Sequence, residues 1–588
     1  MPLSPLPPAE QRLREHLNFL YGPQRTAALF PRLVQRLRAF RQRHGPQTPA
    51  QRRALTHADA LLITYGDQVR QPDEPPLQTL QTFLHRWARG VVNWVHLLPF
   101  FPYSSDDGFA VMDYTRVNPA WGTWDHIHAL ARTFHLMFDA VINHTSSRHP
   151  WFQAFLRGDP AYRDFYLTAR PDADLSQVVR PRPWPLLTPF DTPQGRVWVW
   201  TTFSADQVDL NYHNPEVLLA VLEVLLSYIA HGAAMLRLDA IAYIWKEPGT
   251  PCIHLEGAHR LVKLLRAALD LAAPQVLLLT ETNVPHAENI AYFGNGYDEA
   301  QLVYQFPLPP LVLHTFHTGD ATRLRAWATQ VRAPSPATTF LNFLASHDGI
   351  GVRPVEGLLT RAEIDALVER TLAHGGLVSY RAQSDGSRSV YELNIAYFDA
   401  LSNPTAGEPL ELQVARFVAA HGIMLALVGM PALYVHSLFG SRGDPAAAAR
   451  TGQPRAINRA RFHRATVERE LTTRGHRRAL VYHGLRRLLQ TRARLPAFHP
   501  QGGQQVLDAG PGALALLRTP PPGLKARPVL AVHSVRAEPQ TLTVPLPPGL
   551  SRGLWRDALH PREVSQPQRG GLPMTLAPYQ VRWWVLEE

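Results

Sequence analysis

Four short stretches of this chain run from apolar residues into groups suited to proton transfer and nucleophilic attack. DAVINH supplies Asp139, Asn143 and His144; RLDA supplies Arg237 and Asp239; LLTE supplies Glu281; ASHD supplies His347 and Asp348. An apolar run that turns polar at its end is the pattern of a buried strand opening on a cavity. One such carboxylate could be a structural salt bridge. Three of them, with an arginine or histidine beside two, are poorly explained by stability, because gathering negative charge in a water-poor mouth costs free energy.

Retaining cleavage of a glycosidic bond uses this inventory. It needs two carboxyl groups about 5 Å apart, one as nucleophile and one as proton donor to the leaving oxygen. Asp239 fits the nucleophile, with Arg237 two residues earlier on the same strand face expected to hold its pKa down. Glu281 fits the acid, kept protonated by neighbouring negative charge and partial burial. Asp348 is then the third carboxylate, able to grip sugar hydroxyls as the ring flattens toward an oxocarbenium ion.

These residues have to be held on one face, and the rest of the sequence provides the means. Short apolar runs alternate with helical patterns, which predicts βα units: strands at Leu61–Tyr65, Trp94–Phe100, Leu136–Ile142, Ala234–Leu238, Val276–Thr280, Leu302–Phe306, Thr339–Ala345 and Pro431–Val435. Eight such units close a (β/α)8 TIM barrel, an α/β fold. The helix before the fourth strand is the clearest, with Asn214 as cap, Pro215 in its first turn and an apolar stripe through Val217, Leu218, Val221, Leu222, Leu225 and Ile229.

Barrel segments 56–144 and 214–499 are therefore flanked and interrupted by other units. Residues 1–55 read as an amphipathic helical extension that packs on the barrel. Residues 145–213, rich in Pro and Arg, are too long for a crossover and read as an inserted domain over the barrel mouth. A second excursion holds YRAQSDGSRSVYELN, whose Asp and Gly mark a mobile loop. From residue 500 short alternating strands such as VRWWVLEE predict a C-terminal β-sandwich, more a stability module than a binding one.

Taken together, DAVINH, RLDA, the strand-end TE and SHD resemble, in order and spacing, the signature regions of the α-amylase superfamily. LITYGDQ, VHLLPFFPYSSDDGF, VVRPRPWPLLTPF, SHDGIGV, YELN and AINR are similar to its sucrose phosphorylase branch. Within that branch, IWKEPGTPCIHLE, TETNVPHAENIAYFGNG and SDGSRSVYELN most resemble the glucosylglycerate phosphorylases. The resemblance implies reversible phosphorolysis of an α-glucoside to α-glucose 1-phosphate; a sucrose or glucosylglycerol phosphorylase, or a hydrolase or transglycosidase, are the alternatives. It also implies roles: Asp106 and Arg459 hold the far hydroxyls of the glucosyl ring, Phe109 stacks on it, and His144 and His347 bond its hydroxyls. Arg182 and Tyr391 meet phosphate or the acceptor. Sucrose phosphorylases usually carry Gln where this chain has Glu392 and lack an arginine like Arg388, which argues against fructose. Glu392 is counted with the substrate-binding residues, and the added arginine in the acceptor loop suits a carboxylate-bearing acceptor such as glycerate. Arg388 could equally bind phosphate or be a solvated loop residue.

The resemblance and the composition also bear on cofactors and partners. Asn143 falls where many amylases place a calcium ligand, but the phosphorylase branch generally works without it, so no metal and no cofactor beyond phosphate as co-substrate are expected. A net charge of +11 could attract nucleic acid, yet the charge is almost wholly arginine spread along the chain, Lys246, Lys263 and Lys525 being the only lysines. Cys252, the single cysteine, rules out an intramolecular disulfide. No stretch has the length and apolarity of a membrane span and the opening residues lack a leader's apolar core, so a cytoplasmic enzyme acting on small molecules is expected.

Overall fold

The structure, a computed structural model, describes residues 6–45, 53–182, 184–382 and 387–587. Its centre is a closed barrel of eight parallel strands. They are β1 (Leu61–Thr64), β2 (Trp94–Leu97), β3 (His135–Ala140), β4 (Ala233–Leu238), β5 (Leu277–Thr280), β6 (Leu302–Tyr304), β7 (Thr339–Asn342) and β8 (Met430–Tyr434). Strands adjacent in sequence are adjacent in the ring, and β8 closes on β1 with Leu61 opposite Ala432. The strands read as unbroken apolar runs because both faces are covered; every residue of β1, β2, β5, β6, β7 and β8 is buried. Several strands stop earlier than the apolar run that announces them. The run to Phe100 leaves the sheet after Leu97 and the run to Ala345 after Asn342, yet Phe100 and Leu344 stay buried in the loops beyond.

Helix α1 (Ala9–His44) lies along α2 (Pro215–Ala230) and α3 (Glu256–Ala272) on the outside of the barrel. It buries Leu13, Leu17, Leu33 and Leu37, and Arg12 reaches Asp270 at 2.8 Å. Gly22, at φ 78°, kinks α1. Pro23 follows, a residue suited to a first helical turn because it has no N–H to leave unpaired. In α2 the Asn214 side chain accepts from the Glu216 amide and Pro215 occupies the first turn, so local capping chemistry fixes where the helix starts.

Two excursions roof the C-terminal face of the barrel. After β3, the strand His144–Ser146 pairs antiparallel with Gln207–Asp209 and ties off an insertion whose hairpin runs Leu187–Thr192 and Gly195–Trp200. After β7, the strands Ile350–Gly351, Arg388–Asn394 and Leu377–Ala382 form a small sheet, in that order, beside a helix Arg361–Ala373. The expected mobile loop is thus corrected: its flanks are paired strands, with Val378 opposite Leu393 and Tyr380 opposite Val390. Asp385 and Gly386, on which the loop reading leaned, lie outside the described residues. The C-terminal unit is a six-stranded antiparallel sheet accompanied by the pair Gln540–Pro545 and Gly571–Leu576. In its strand Val581–Leu586, Trp584 joins that unit's own core while Trp583 packs on Phe498, the two-residue alternation that joins a sheet to its neighbour. Among the described residues no helix is long and apolar enough to cross a membrane.

Candidate active site

All eight strands point the same way, so their C-terminal ends share one face. Arg237 is in β4, Asp239 follows it, Glu281 follows β5, and His347 and Asp348 sit in the loop after β7. Arg237 ties the floor of the barrel to this face. Its Nη1 donates to Asp239 Oδ1 at 2.7 Å and to Asp139 Oδ1 at 2.5 Å, and Asp139 pairs with His96 Nε2 at 2.6 Å. Its Nη2 stands 3.9 Å from Glu281 Oε2. Ala240 adopts the left-handed conformation, φ 48°, and so turns its backbone N–H onto Glu281 Oε2 at 3.1 Å. A non-glycine residue there costs about 1 kcal/mol, strain kept beside the reacting groups.

The three carboxyls differ in charge for identifiable reasons. Burial pushes Asp239 up to about 6 against the pull of Arg237. This corrects the expectation that Arg237 keeps it low: the same guanidinium nitrogen gives Asp139 the shorter bond, and Asp139 adds its own negative charge. Burial, with the charges of Asp239 and Asp348, pushes Glu281 further, to about 7. Glu281 stands higher because Arg237 bonds Asp239 and only approaches Glu281. Asp348 moves the other way: burial would raise it, but Arg455 and Arg459 hold it well below the usual carboxylate range. Burial also lowers His144, and His347 to about 3, leaving two neutral imidazoles that can donate to or accept from hydroxyls.

An open cavity of about 650 Å³ brings these groups together. Asp239, Glu281 and Asp348 line it, with Arg237 beneath. Phe109 and His347 form one wall, their rings stacked 4.9 Å apart, beside His144 and Asp106. Arg182 and Tyr391 line the outer part, the guanidinium carbon 5.6 Å from the ring centre, and burial pushes the Tyr391 hydroxyl up to about 12. An adjoining chamber of about 510 Å³ shares Glu281, Asp348, Tyr391 and Arg455 with it and also takes in Glu392.

Two expected residues stand elsewhere. Arg459 is behind the wall: its Nη1 binds Asp107 Oδ2 at 2.6 Å and is 3.8 Å from Asp106 Oδ1, while its Nη2 is 3.7 Å from Asp348 Oδ1. It supports the donor wall rather than lining the cavity, because the left-handed backbone at Asp106 and Asp107 turns the Asp107 carboxylate onto it. Arg388 lines neither cavity and is exposed. It pairs with Ala382 near the far end of the hairpin, and three residues of strand separate it from Tyr391 by roughly 10 Å. Glu392 is buried, and its two oxygens are taken by Arg455 at 2.5 and 3.0 Å.

Sequence reading missed Arg455, Gln207 and Asn283, all of which line the cavity. Arg455 had a signal: it stands four residues before Arg459 in PRAINR, and the turn Pro454–Asn458 brings both guanidiniums to Asp348. Gln207 had none, since only the pairing of its strand with His144–Ser146 puts its amide within 3.2 Å of His144 Nε2. Asn143 is engaged by an ammonium: Lys246 Nζ donates to its Oδ1 at 3.0 Å and pairs with Asp209 at 2.7 Å, both buried.

Comparison with known proteins agrees with this architecture. The family described as "Alpha amylase, catalytic domain" matches residues 90–350. A glucosylglycerate phosphorylase of Allomeiothermus silvanus is 54% identical over 505 residues, covering 86% of this chain and 89% of that one. The Escherichia coli glucosylglycerate phosphorylase is 43% identical over 576 residues, covering 98% and 100%. The crystal structure of a sucrose 6F-phosphate phosphorylase from Thermoanaerobacter thermosaccharolyticum shares the fold, with TM-score 0.72, 24% identity, and 84% of this chain and 96% of that one covered.

Proposed function

The chain belongs to the alpha-amylase family, among the glucosylglycerate phosphorylases, and from that premise we propose that it moves glucose reversibly between glucosylglycerate and inorganic phosphate. Asp239 attacks the anomeric carbon as Glu281 gives its proton to the departing glycerate oxygen, leaving a glucosyl ester on Asp239. Phosphate then attacks that carbon, its proton passes to Glu281, and Asp239 leaves as carboxylate. Two inversions give retention, so the product is α-glucose 1-phosphate. The observation that carries this reading is the meeting of Asp239 and Glu281 in one cavity, with Arg237 bonded to Asp239 at 2.7 Å and only 3.9 Å from Glu281, so that burial pushes Glu281 further up than Asp239 and leaves the proton on Glu281.

We assign the glucosyl ring to the wall of Phe109, His144, His347 and Asp106, and the anionic partners to the outer part of the cavity. Among the described residues Arg182 presents its guanidinium there over Tyr391 instead of on a carboxylate, which suits phosphate or a small acid. Neither displacement calls for an electron carrier or a Lewis acid, so phosphate as co-substrate is the only addition we propose. We further propose a cytoplasmic location and small molecules, not nucleic acid or membrane, as partners. The test is to supply α-glucose 1-phosphate with glycerate, glycerol, fructose or fructose 6-phosphate and follow phosphate release. Glycerate should be used fastest; a preference for fructose would move the chain to the sucrose phosphorylases, and free glucose as the main product to the hydrolases.

A further inference from the structure

Arg455 bridges two carboxylates supplied by different segments. Its Nη1 contacts Asp348 Oδ1, while its Nε and Nη2 take both oxygens of Glu392. Glu392 has only 2% of its side chain exposed, and its strand is pressed against the Asp348 loop. Gly349 makes that approach possible, since a Cβ there would stand 2.9 Å from Glu392 Cβ and 2.8 Å from Asn394 Oδ1. The planar guanidinium offers one edge to each carboxylate, which an ammonium could not do.

We propose that Arg455 is a positioning residue that keeps Asp348 ionised and aimed into the cavity, and that Glu392 acts by holding Arg455 and not by touching the acceptor. Three carboxyls crowd this cavity, and each negative charge raises its neighbours. Arg459 at 3.7 Å, His347 at 3.5 Å and the more distant Arg237 also face Asp348, but Arg455 is the cation in contact with it. Without that contact Asp348 would compete more strongly with Asp239 and Glu281 for protons. Arg455 removes Asp348 from that competition, so the proton needed for leaving-group departure resides on Glu281. A Gln at position 392 of this chain would take from Arg455 its anionic anchor. The inference rests on the reading of Asp348 as the third carboxylate.

The experiment is exchange of labelled phosphate into α-glucose 1-phosphate, which needs no second acceptor, followed across pH. Arg455→Met alone would strand a buried Glu392 charge and could unfold the chain. The double variant Glu392→Gln, Arg455→Met avoids this, and a melting curve checks that it folds. It loses a cation in contact with Asp348 and an anion only beyond it. The exchange rate at pH 7 should therefore fall at least tenfold, and the acid limb of kcat/KM should move up by about one pH unit. Arg455→Lys, which keeps the charge, should hold the limb near its wild-type position while losing rate. A folded double variant with an unmoved limb, or with an undiminished rate, overturns the proposal. Asp348→Asn is run beside it and should be nearly inactive. If it is active, the underlying reading of Asp348 fails; if it is inactive while the double variant's limb is unmoved, only the role of Arg455 fails.

Discussion

The inner half of the cavity hangs from barrel strands, whereas the outer half hangs from the two excursions that roof the barrel. Arg237 and Asp239 are fixed by β4, Glu281 by β5, and a bonded chain from His96 through Asp139 and Arg237 braces Asp239 from below. The outer half takes Arg182 from the insertion after β3, and Tyr391 and Glu392 from the hairpin after β7. Strand ends in a closed barrel have little freedom, so groups there can be held to the tolerance that bond-making requires. Loops can be rebuilt without disturbing the sheet, so they are where one fold acquires different acceptors. We therefore propose that glucosyl transfer belongs to the inner half and the choice of partner to the outer.

The strongest way to break that division is to remove the nucleophile. Asp239→Asn should lower turnover by at least about 10⁴-fold with every donor, because no other group can form the glucosyl ester. Substantial residual rate with any glucoside would show that the inner half is not where the ester forms. Glu281→Gln should cost about 10² to 10⁴-fold with glucosylglycerate, yet leave the first step with α-glucosyl fluoride much less affected, since fluoride departs without a proton. Equal losses with both donors would deny Glu281 the role of acid.

The pH profile sharpens the same comparison by a smaller effect. Asp239 must be ionised, so kcat/KM for glucosylglycerate at saturating phosphate should rise as pH climbs through about 6. Glu281 must be protonated, so the rate should fall as pH passes about 7. The profile should therefore be a narrow bell. A rate that stayed flat well above 7 would mean that a group of higher pKa supplies the proton.

The same division explains what could be read from the sequence. Barrel strands are covered on both faces and advertise themselves as apolar runs, and the reactive groups follow directly where those runs end, as at Asp239 and Glu281. Arg455 and Gln207 reach the cavity only through pairings between distant segments: the turn that meets Asp348, and the strand that meets His144. The hairpin holding Tyr391 was hidden for another reason. Its strands are mixed in polarity, with Ser379 opposite Glu392 and Arg381 opposite Ser389, so neither apolar run nor strict alternation marked them. Glu392 looked like an acceptor contact because sequence carries no sign of the Arg455 fork that occupies both its oxygens.

The smallest expected effect separates two arginines of the outer half. Chain position alone made Arg388 a fair partner for the carboxylate of glycerate, and a charge-assisted bond of about 1.5–3 kcal/mol would make its loss worth one to two orders of magnitude in the Michaelis constant. The fold argues otherwise, because the strand that delivers Tyr391 to the cavity carries Arg388 away from it, toward solvent. A solvated guanidinium at that distance is screened and contributes little. Arg388→Ala should therefore change the Michaelis constants for glycerate and for phosphate by less than about twofold. Arg182→Ala, which removes the guanidinium over Tyr391, should raise at least one of them about tenfold or more. Comparing glycerate with uncharged glycerol then tells which anion Arg182 serves: loss confined to glycerate assigns it to the acceptor, while equal loss with both assigns it to phosphate. A large, glycerate-specific loss on Arg388→Ala would mean instead that the hairpin folds over the mouth when acceptor binds, and that the outer half is assembled by its ligand.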